Sequence, residues 1–263
     1  MIIIILAAGK GNRLKKTLPK SFPYKTKSLI PINNEPAIKR LINQVLEIKQ
    51  NDILLVLGHQ YRSILNVLGY KKKFFVLNKN YERDSNLRSL FIGFEKIINE
   101  RTHNINEGVL VIEADSFFHG TLLENFLRHI NLIDSSKDQI NKICWTTKGN
   151  AISNDSGGFI DPFENISNKK YGDVKNIYIK THPNNSKTMK MYGITWFNQY
   201  AAIEWYLKAK SFLKDKASDE LTGYFHEIIF DNLNCFSNSY YDLGEKAISF
   251  NNFEEYSKCL DLY

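Results

Sequence analysis

The sequence predicts an α/β fold: a Rossmann-like, mainly parallel sheet with helices on both faces, and a smaller β excursion in its second part. Three observations carry this expectation. The chain opens on a continuous apolar run, Ile2-Ile3-Ile4-Ile5-Leu6, and runs of the same kind recur as "DILLVLG" (52–58) and "GVLVIEAD" (108–115). Strands that are apolar at every position are covered on both faces. Between these runs lie segments with apolar residues at helical spacing, so strand alternates with helix, which is how a parallel sheet is built. After Lys148 the alternation weakens and the sequence becomes polar and glycine-containing.

In order along the chain, the strand at 2–6 is followed by a long basic loop. "EPAIKRLINQVLEIKQ" places Ile38, Leu41, Ile42, Val45 and Leu46 on one helical face, with Pro36 suited to a first turn. A strand at 52–58 precedes a helix over 62–68, and "FFVLN" predicts a third strand. A helix over 85–100, the strand at 108–115, a helix near 122–130 and a strand at "KICWTT" continue the series. The segment "GNAISNDSGGFIDPFENISNKKYGD" reads as a loop or excursion, and "VKNIYIK" and "MKMYGITWF" as a pair of strands. Helices over 199–213, 219–230 and 252–260 complete the chain, which is expected to be a single domain with a first part at 1–148 and a second part, including the last helices, at 149–263.

With 263 residues, 43% of them hydrophobic, the chain can bury a large core without staples. Cys144, Cys235 and Cys259 are scattered, which indicates neither a disulfide framework nor a zinc site. No apolar run approaches the ~20 residues of a spanning helix, and residues 1–8 lack the form of a secretory signal, so a cytoplasmic protein without membrane contact is expected. The formal net charge of +7 suits anionic partners such as nucleotides and phosphorylated metabolites. Its lysines are dispersed apart from the run 71–73, and a nucleic-acid surface is not expected. The six histidines show no ligand spacing.

The most informative stretch is "ILAAGKGNRLKK", directly after the first strand. Gly9-Lys10-Gly11-Asn12-Arg13-Leu14 has only the first two glycines of a dinucleotide fingerprint and lacks the Gly-Lys-Ser/Thr ending of a P-loop. Two glycines after a strand still let backbone amides approach a phosphate, and Arg13 can add a bidentate contact. No acid occurs from residue 2 to residue 34, so nothing there repels a polyphosphate.

"LAAGKGNRL", a basic loop and then "TKSLIPI" resemble the signature of the sugar-phosphate and alcohol-phosphate nucleotidyltransferases, L-A-A-G-x-G-x-R-L followed by P-K-x-L-x-P. "NKNYERDSNLRSL" resembles a segment of the CTP:phosphocholine cytidylyltransferase branch, and "VIEAD" a strand ending in a magnesium-binding aspartate. The resemblance implies a nucleotide-diphospho-sugar transferase-like fold and transfer of CMP from CTP to a small phosphorylated acceptor, with release of pyrophosphate and with Mg²⁺ as cofactor. A homodimer is compatible with it. By the same resemblance, Ala8, Gly9, Gly11, Asn12 and Arg13 hold the triphosphate and ribose, and Asn78, Tyr81, Asn86 and Ser89 order the cytosine end. Lys27, with Arg13, takes the catalytic role; it is preferred to Lys20 because "KSLIPI" supplies the following leucine and proline, although Thr26 stands where the family has proline. Asp115 binds the metal. The family's second metal aspartate aligns with Asn251, leaving Asp242 and Glu227 as alternatives.

The acceptor end departs most from the family. Where phosphocholine enzymes supply a tryptophan, this chain reads "NDSGGFID". Tyr192, Trp196 and Tyr224, with Phe225, are the aromatic residues available to surround an acceptor, and the polar replacement favours a hydrogen-bonded one. The branch members that act on phosphoglutamine in capsule phosphoramidate synthesis fit that description. The alternatives are a phosphocholine or sugar-1-phosphate acceptor, or a nucleotide- or RNA-binding module without catalysis.

Overall fold

The computed structural model of the chain describes residues 1–23, 26–48, 52–69, 75–84, 86–100, 105–134, 139–151, 157–163, 170–179, 187–214 and 223–262. In the first half, β1 (Ile2–Ala7) leads through a short helix α1 (Asn12–Thr17) and a 3-10 turn at Lys27–Leu29 to the small hairpin β2 (Pro31–Ile32) and β3 (Glu35–Pro36). Then follow α2 (Ala37–Ile48), β4 (Ile53–Leu57), α3 (Tyr61–Leu68), β5 (Phe75–Leu77), α4 (Leu87–Asn99), β6 (Val109–Glu113), β7 (Ser116–Phe117) and α5 (Gly120–Asp134). The second half comprises β8 (Lys142–Asn150), β9 (Gly158–Pro162), β10 (Tyr171–Ile179), β11 (Met189–Phe197), α6 (Gln199–Lys214), α7 (Phe225–Phe230), β12 (Ser237–Asp242), β13 (Ile248–Ser249) and α8 (Phe253–Leu262).

Among the described residues, nine strands form one sheet in the order β5-β4-β1-β6-β11-β8-β12-β10-β9. The pairings from β5 to β6 are parallel, as is β8 with β12. The pairings of β11, and of β10 with its neighbours, are antiparallel. The parallel expectation therefore describes the first half, and the second half is mostly antiparallel. The boundary at 148 falls inside β8, and β11 returns from the second part to pair with β6 of the first.

The opening isoleucines show why both faces are apolar. Ile2, Ile4 and Leu6 pack into a cluster with Leu90 and Phe94 of α4 and Trp205 of α6. Ile3, Ile5 and Ala7 pack on the other face, with Ile38 and Leu41 of α2 and Phe126 of α5. Burying each such isoleucine contributes about 1.5–3 kcal/mol, so the run can exist only as a strand sandwiched between helices. A third, smaller cluster joins Leu14, Ile30, Ile32, Phe117, Phe250 and Tyr256, drawing the loop after β1, the turn after β6 and α8 together.

Four local expectations are corrected. Part of the basic loop is α1, anchored by the completely buried Leu14. The polar excursion contains β9, whose Phe159 and Ile160 are fully buried. Among the described residues β10 does not pair with β11; β9 bonds to both. β12, "SNSYYD", was not anticipated, because its serines and asparagine hide the alternation that sends Tyr240 and Tyr241 to opposite faces. The run 71–73, residue 74 at the start of "FFVLN", residue 85 at the start of the predicted helix over 85–100, residues 152–156 and 164–169 of the excursion and the start (219–222) of the predicted helix over 219–230 lie outside the described residues.

Candidate active site

A cleft of about 430 Å³ opens at the carboxyl ends of β1 and β6, where ligands bind in open α/β sheets. One wall is the loop after β1. Gly11 adopts the left-handed conformation (φ 65°) that turns the chain into α1, with Asn12 as its first residue; a side chain there is strained. Ala8, Gly9, Gly11, Asn12 and Arg13 all line the cleft. The carbonyl of Ala8 accepts a 2.9 Å hydrogen bond from the His59 amide, which ties the loop to the end of β4. Lys10 pairs with Glu82 at 2.6 Å and lies over the Tyr81 ring at 5.9 Å, linking the same loop to the turn after β5.

At the centre of the cleft, the Lys27 ammonium donates to Oδ2 of Asp115 and, at 3.1 Å, to Oδ1 of Asn251. These three residues are 88 to 224 positions apart in sequence, and the third cluster brings them together. Phe117, two residues after Asp115, stacks on Phe250, the neighbour of Asn251, with ring centroids 5.2 Å apart. Lys27 lies over the same Phe250 ring at 5.3 Å. Lys20 is exposed and does not line the cleft. The alternatives to Asn251 are absent from it too. Asp242 accepts from the Thr147 hydroxyl and the Gly149 amide, which makes it a turn residue, and Glu227 sits on α7 outside the lining.

The far wall is built by Asp84, a residue the sequence reading passed over. Its Oδ1 accepts from the amides of Asn86 and Arg88 at 3.0 Å each, and its Oδ2 from the Ser89 amide and hydroxyl and from Asn78 Nδ2. The carboxylate thus satisfies amides at the start of α4 that a helix leaves unpaired. Tyr81, Asp84, Asn86 and Ser89 line the cleft, whereas Asn78, 1% exposed, stands behind them. Its Nδ2 also reaches Ser89 Oγ, and its Oδ1 accepts from the Asn80 amide. Asn78 therefore supports this wall from behind. Asn86 has φ 143°, a conformation that costs a non-glycine residue about 1–3 kcal/mol. Its Nδ2 donates to Glu113 at 2.7 Å and its Oδ1 accepts from the Phe225 amide at 2.9 Å, so two elements hold the strained residue in place.

Glu113, also unanticipated, ends β6 two residues before Asp115. Burial and the neighbouring Asp115 charge push its carboxyl up to about 7, against the opposing pull of Lys27, the Asn86 hydrogen bond and Lys190. It lines both the main cleft and an adjoining cavity of about 100 Å³, which Arg13, Asp115, Tyr224 and Asn251 also border. Tyr224 thus lies between the two spaces. Tyr192 borders the small cavity, but its hydroxyl hydrogen is shared between the carbonyls of Phe117 (2.7 Å) and Ile248 (2.9 Å), fastening β7 to β13. Trp196 is corrected: it is fully buried in the core and paired in register with Leu110 near the opposite end of β6, so it cannot touch an acceptor. Phe225, 2% exposed, stacks on His226 and is likewise a core residue. Lys190 and His226 of the small cavity were missed because one sits in an apolar strand and the other in a helix, where neither has a motif.

A glycine-led loop, a lysine and a carboxylate converging at the carboxyl edge of such a sheet define a nucleotide-binding class of protein. Residues 3–153, more than half of the chain, match the MobA-like NTP transferase domain, and the chain belongs to that family. It is 38% identical over 68 residues to the bifunctional protein GlmU of Pseudoalteromonas atlantica, covering 26% of this chain and 14% of that protein. It is 29% identical over 130 residues to the choline-phosphate cytidylyltransferase of Streptococcus pneumoniae, covering 48% of this chain and 50% of that one. The chain thus spans half or less of the length of these curated relatives. The solved structure of CTP:phosphocholine cytidylyltransferase from Streptococcus pneumoniae superposes with a TM-score of 0.65 at 18% identity, covering 99% of this chain and 98% of that chain. The shared fold is that of the nucleotidyltransferases. Among the described residues no helix is long and apolar enough to cross a membrane.

Proposed function

We propose that the chain is a cytidylyltransferase, which moves CMP from CTP to a small phosphorylated acceptor and releases pyrophosphate. The observation that carries this reading is the Lys27 ammonium held between Asp115 and Asn251 in the middle of the cleft, beside the glycine loop. The similarity to a cytidylyltransferase over half of that relative's length supports CTP as the donor. In this reading the amides of the loop 8–12 and the guanidinium of Arg13 hold the triphosphate, while Tyr81, Asn86 and Ser89 face the base. Such an enzyme works where CTP is made, in the cytoplasm.

The chemistry needs little beyond these parts. An oxygen of the acceptor phosphate attacks the α-phosphorus, a new P–O bond forms, and the bond to the β-phosphate oxygen breaks to release pyrophosphate. A phosphate monoester, with a second pKa of ~6, is already largely anionic at neutral pH, so no side chain has to remove a proton. What must be supplied is positive charge in fixed positions along the line of attack, and Lys27 and Arg13 supply it. The oxygen donors fit a magnesium ion: Asp115 and Asn251 already converge on one cation, the Lys27 ammonium. Among the described residues no three His, Cys, Asp or Glu gather into a cage, and Mg²⁺ characteristically takes one or two carboxylates with substrate phosphates completing its shell. Bound there, it would neutralise charge on the departing phosphates.

As acceptor, a polar phosphorylated amino-acid derivative such as phosphoglutamine suits the small cavity better than phosphocholine. A quaternary ammonium calls for exposed aromatic faces, and of the aromatic residues expected there Trp196 and Phe225 are core. Pyrophosphate release measured with each of four nucleoside triphosphates against phosphoglutamine, phosphocholine and hexose 1-phosphates tests the reading. Turnover with CTP and phosphoglutamine is expected. A preference for UTP or dTTP with a hexose 1-phosphate would make the protein a sugar nucleotidyltransferase, and no pyrophosphate from any pair would leave a nucleotide-binding module.

A further inference from the structure

A separate cavity of about 450 Å³ opens behind the wall built around Asp84, between the end of β5, α4 and α6. That is the size of an ordinary small-molecule site. Its floor is apolar, from Leu77, Phe91, Ile92 and Leu213. The Phe91 ring is held flat by stacking on Tyr206, with centroids 5.3 Å apart and the planes 10° from parallel. Its rim is cationic: Lys79, Arg88, Lys210 and Lys214 border it, against the single carboxylate of Glu95. Among the described residues none of these four cations is in an ion pair, and Lys210 instead lies 5.7 Å from the centroid of the Tyr206 ring.

Arg88 is the residue that calls for a ligand. Lysine stems can cover an apolar floor while their ammonium heads stay in water, and the exposed Lys210 and Lys214 need no further explanation. Arg88 is half-buried, and its Nη2 is out of reach of solvent with no hydrogen-bond partner. A guanidinium cannot shed its charge, and a buried donor left unmet is destabilising. Packing alone would be served as well by a methionine.

We propose that this cavity is a second ligand site, which takes an organic anion: a phosphate or carboxylate head against Arg88 and the lysines, on an apolar body lying over Phe91 and Ile92. The site shares a partition with the nucleotide cleft. Asn78 borders the cavity and donates to Asp84 and Ser89 of the cleft wall, and the Arg88 amide donates to the same Asp84. An anion that fixes Arg88 and the segment around Asn78 stiffens this wall and so tightens nucleotide binding; by linkage the nucleotide tightens the anion by the same factor. The coupling rests on the nucleotide reading of the cleft, whereas the site itself does not.

Calorimetric titration of the magnesium-free protein with phenyl phosphate, benzoate and benzyl alcohol tests the site. At least one anion should bind with a Kd of about 1 mM or tighter, the better one identifying the head group, and benzyl alcohol at least ~10-fold more weakly. The double variant Lys210→Glu, Lys214→Glu, at exposed positions, should weaken the anion at least ~10-fold, while Lys27→Ala in the nucleotide cleft should leave it within about threefold. Arg88→Met should also weaken the anion without lowering the melting temperature of the ligand-free protein, since it removes an unmet donor. Failure of both anions to bind would overturn the proposal, as would undiminished binding to the double lysine variant or binding lost in Lys27→Ala instead. A lower melting temperature for ligand-free Arg88→Met would mark the guanidinium as a packing group and count against it. With the anion saturating, the Kd for CTP should fall at least about threefold; an unchanged value overturns the coupling. If CTP does not bind at all, the nucleotide reading falls, and the anion titrations still decide the site.

Discussion

Replacing Lys27 by alanine separates the two basic residues of the loop after β1. In the structure Lys27 touches Asp115, Asn251 and the face of Phe250, and its side chain is 15% exposed. Two consequences follow. The transfer step loses one preorganised cation, which at comparable sites costs ~100-fold or more in kcat, equivalent to about 2.7 kcal/mol. The folded protein loses the partner of Asp115, whose side chain is 18% exposed. Breaking a fully buried pair costs about 3–5 kcal/mol, and this one is partly solvated, so about 2 kcal/mol is a reasonable upper figure. For a chain of this size that is a fall in Tm of roughly 4–8 °C. Single-turnover transfer from labelled CTP, run alongside a thermal melt, reads both. Lys20→Ala should stay within about threefold of wild type, because Lys20 is exposed and outside the cleft. A larger loss of turnover from Lys20→Ala, or near-normal turnover from a folded Lys27→Ala protein, would refute the assignment.

Other perturbations probe the same geometry. Asp115→Asn should abolish magnesium-dependent turnover, whereas Asn251→Asp should lower the Mg²⁺ concentration needed for half-maximal rate; a magnesium titration checks both. Gly58→Ala should raise the KM for CTP at least ~10-fold, because a Cβ there would lie 2.7 Å from Tyr81 Cβ and 2.8 Å from the Ala8 carbonyl oxygen, forcing apart two walls of the cleft. His226 predicts a stability signature. Its folded pKa, about 3, lies below the unfolded value near 6.5, so its neutral burial gives full stability above pH ~6.5, lost progressively as the pH falls toward 3. Between pH 6.5 and 5 that amounts to about 2 kcal/mol. Glu113 titrates the opposite way over part of this range, so the measurement is the difference in unfolding free energy between wild type and His226→Phe. That difference should shift toward the variant on acidification, and a pH-independent difference would mean that His226 is not buried neutral.

How far the sequence disclosed the protein depends on the range over which each feature is encoded. β1, β4 and β6 were legible because continuous apolar runs have one physical explanation, burial on both faces, and the helices between them followed from spacing. β9 and β12 were not legible. Phe159 and Ile160 are flanked by glycine, aspartate and proline, and the two tyrosines of β12 follow serines and an asparagine, so each is made a strand by partners far away in the chain. The first wall of the cleft, from Ala8 to Arg13, is contiguous in sequence and could be read as a unit. Asp84 could have been found from its position ahead of a helix, where a carboxylate commonly satisfies free amides. Glu113 offered a weaker signal, being an acid at the end of an apolar strand and so at the ligand-binding edge.

The acceptor end was misread for a physical reason. The sequence offers Trp196 because one class of acceptor needs aromatic faces and its strand, β11, passes beside the cavity. Side chains on a strand alternate between faces and progress along its length. Gly193, which packs against Glu113 at the cleft, and Asn198 beyond the strand's end are five positions apart, and Trp196 lies on the far side of that interval. The part of β11 that borders the cavity is instead its beginning, 190–193, where the only ionisable groups are Lys190 and the hydroxyl of Tyr192. The hydroxyl is occupied in tying β7 to β13. Within one strand, then, the six positions from Lys190 to Trp196 lead from the border of the cavity into the closed core, so a side chain's place along β11 decides whether it can meet a ligand at all.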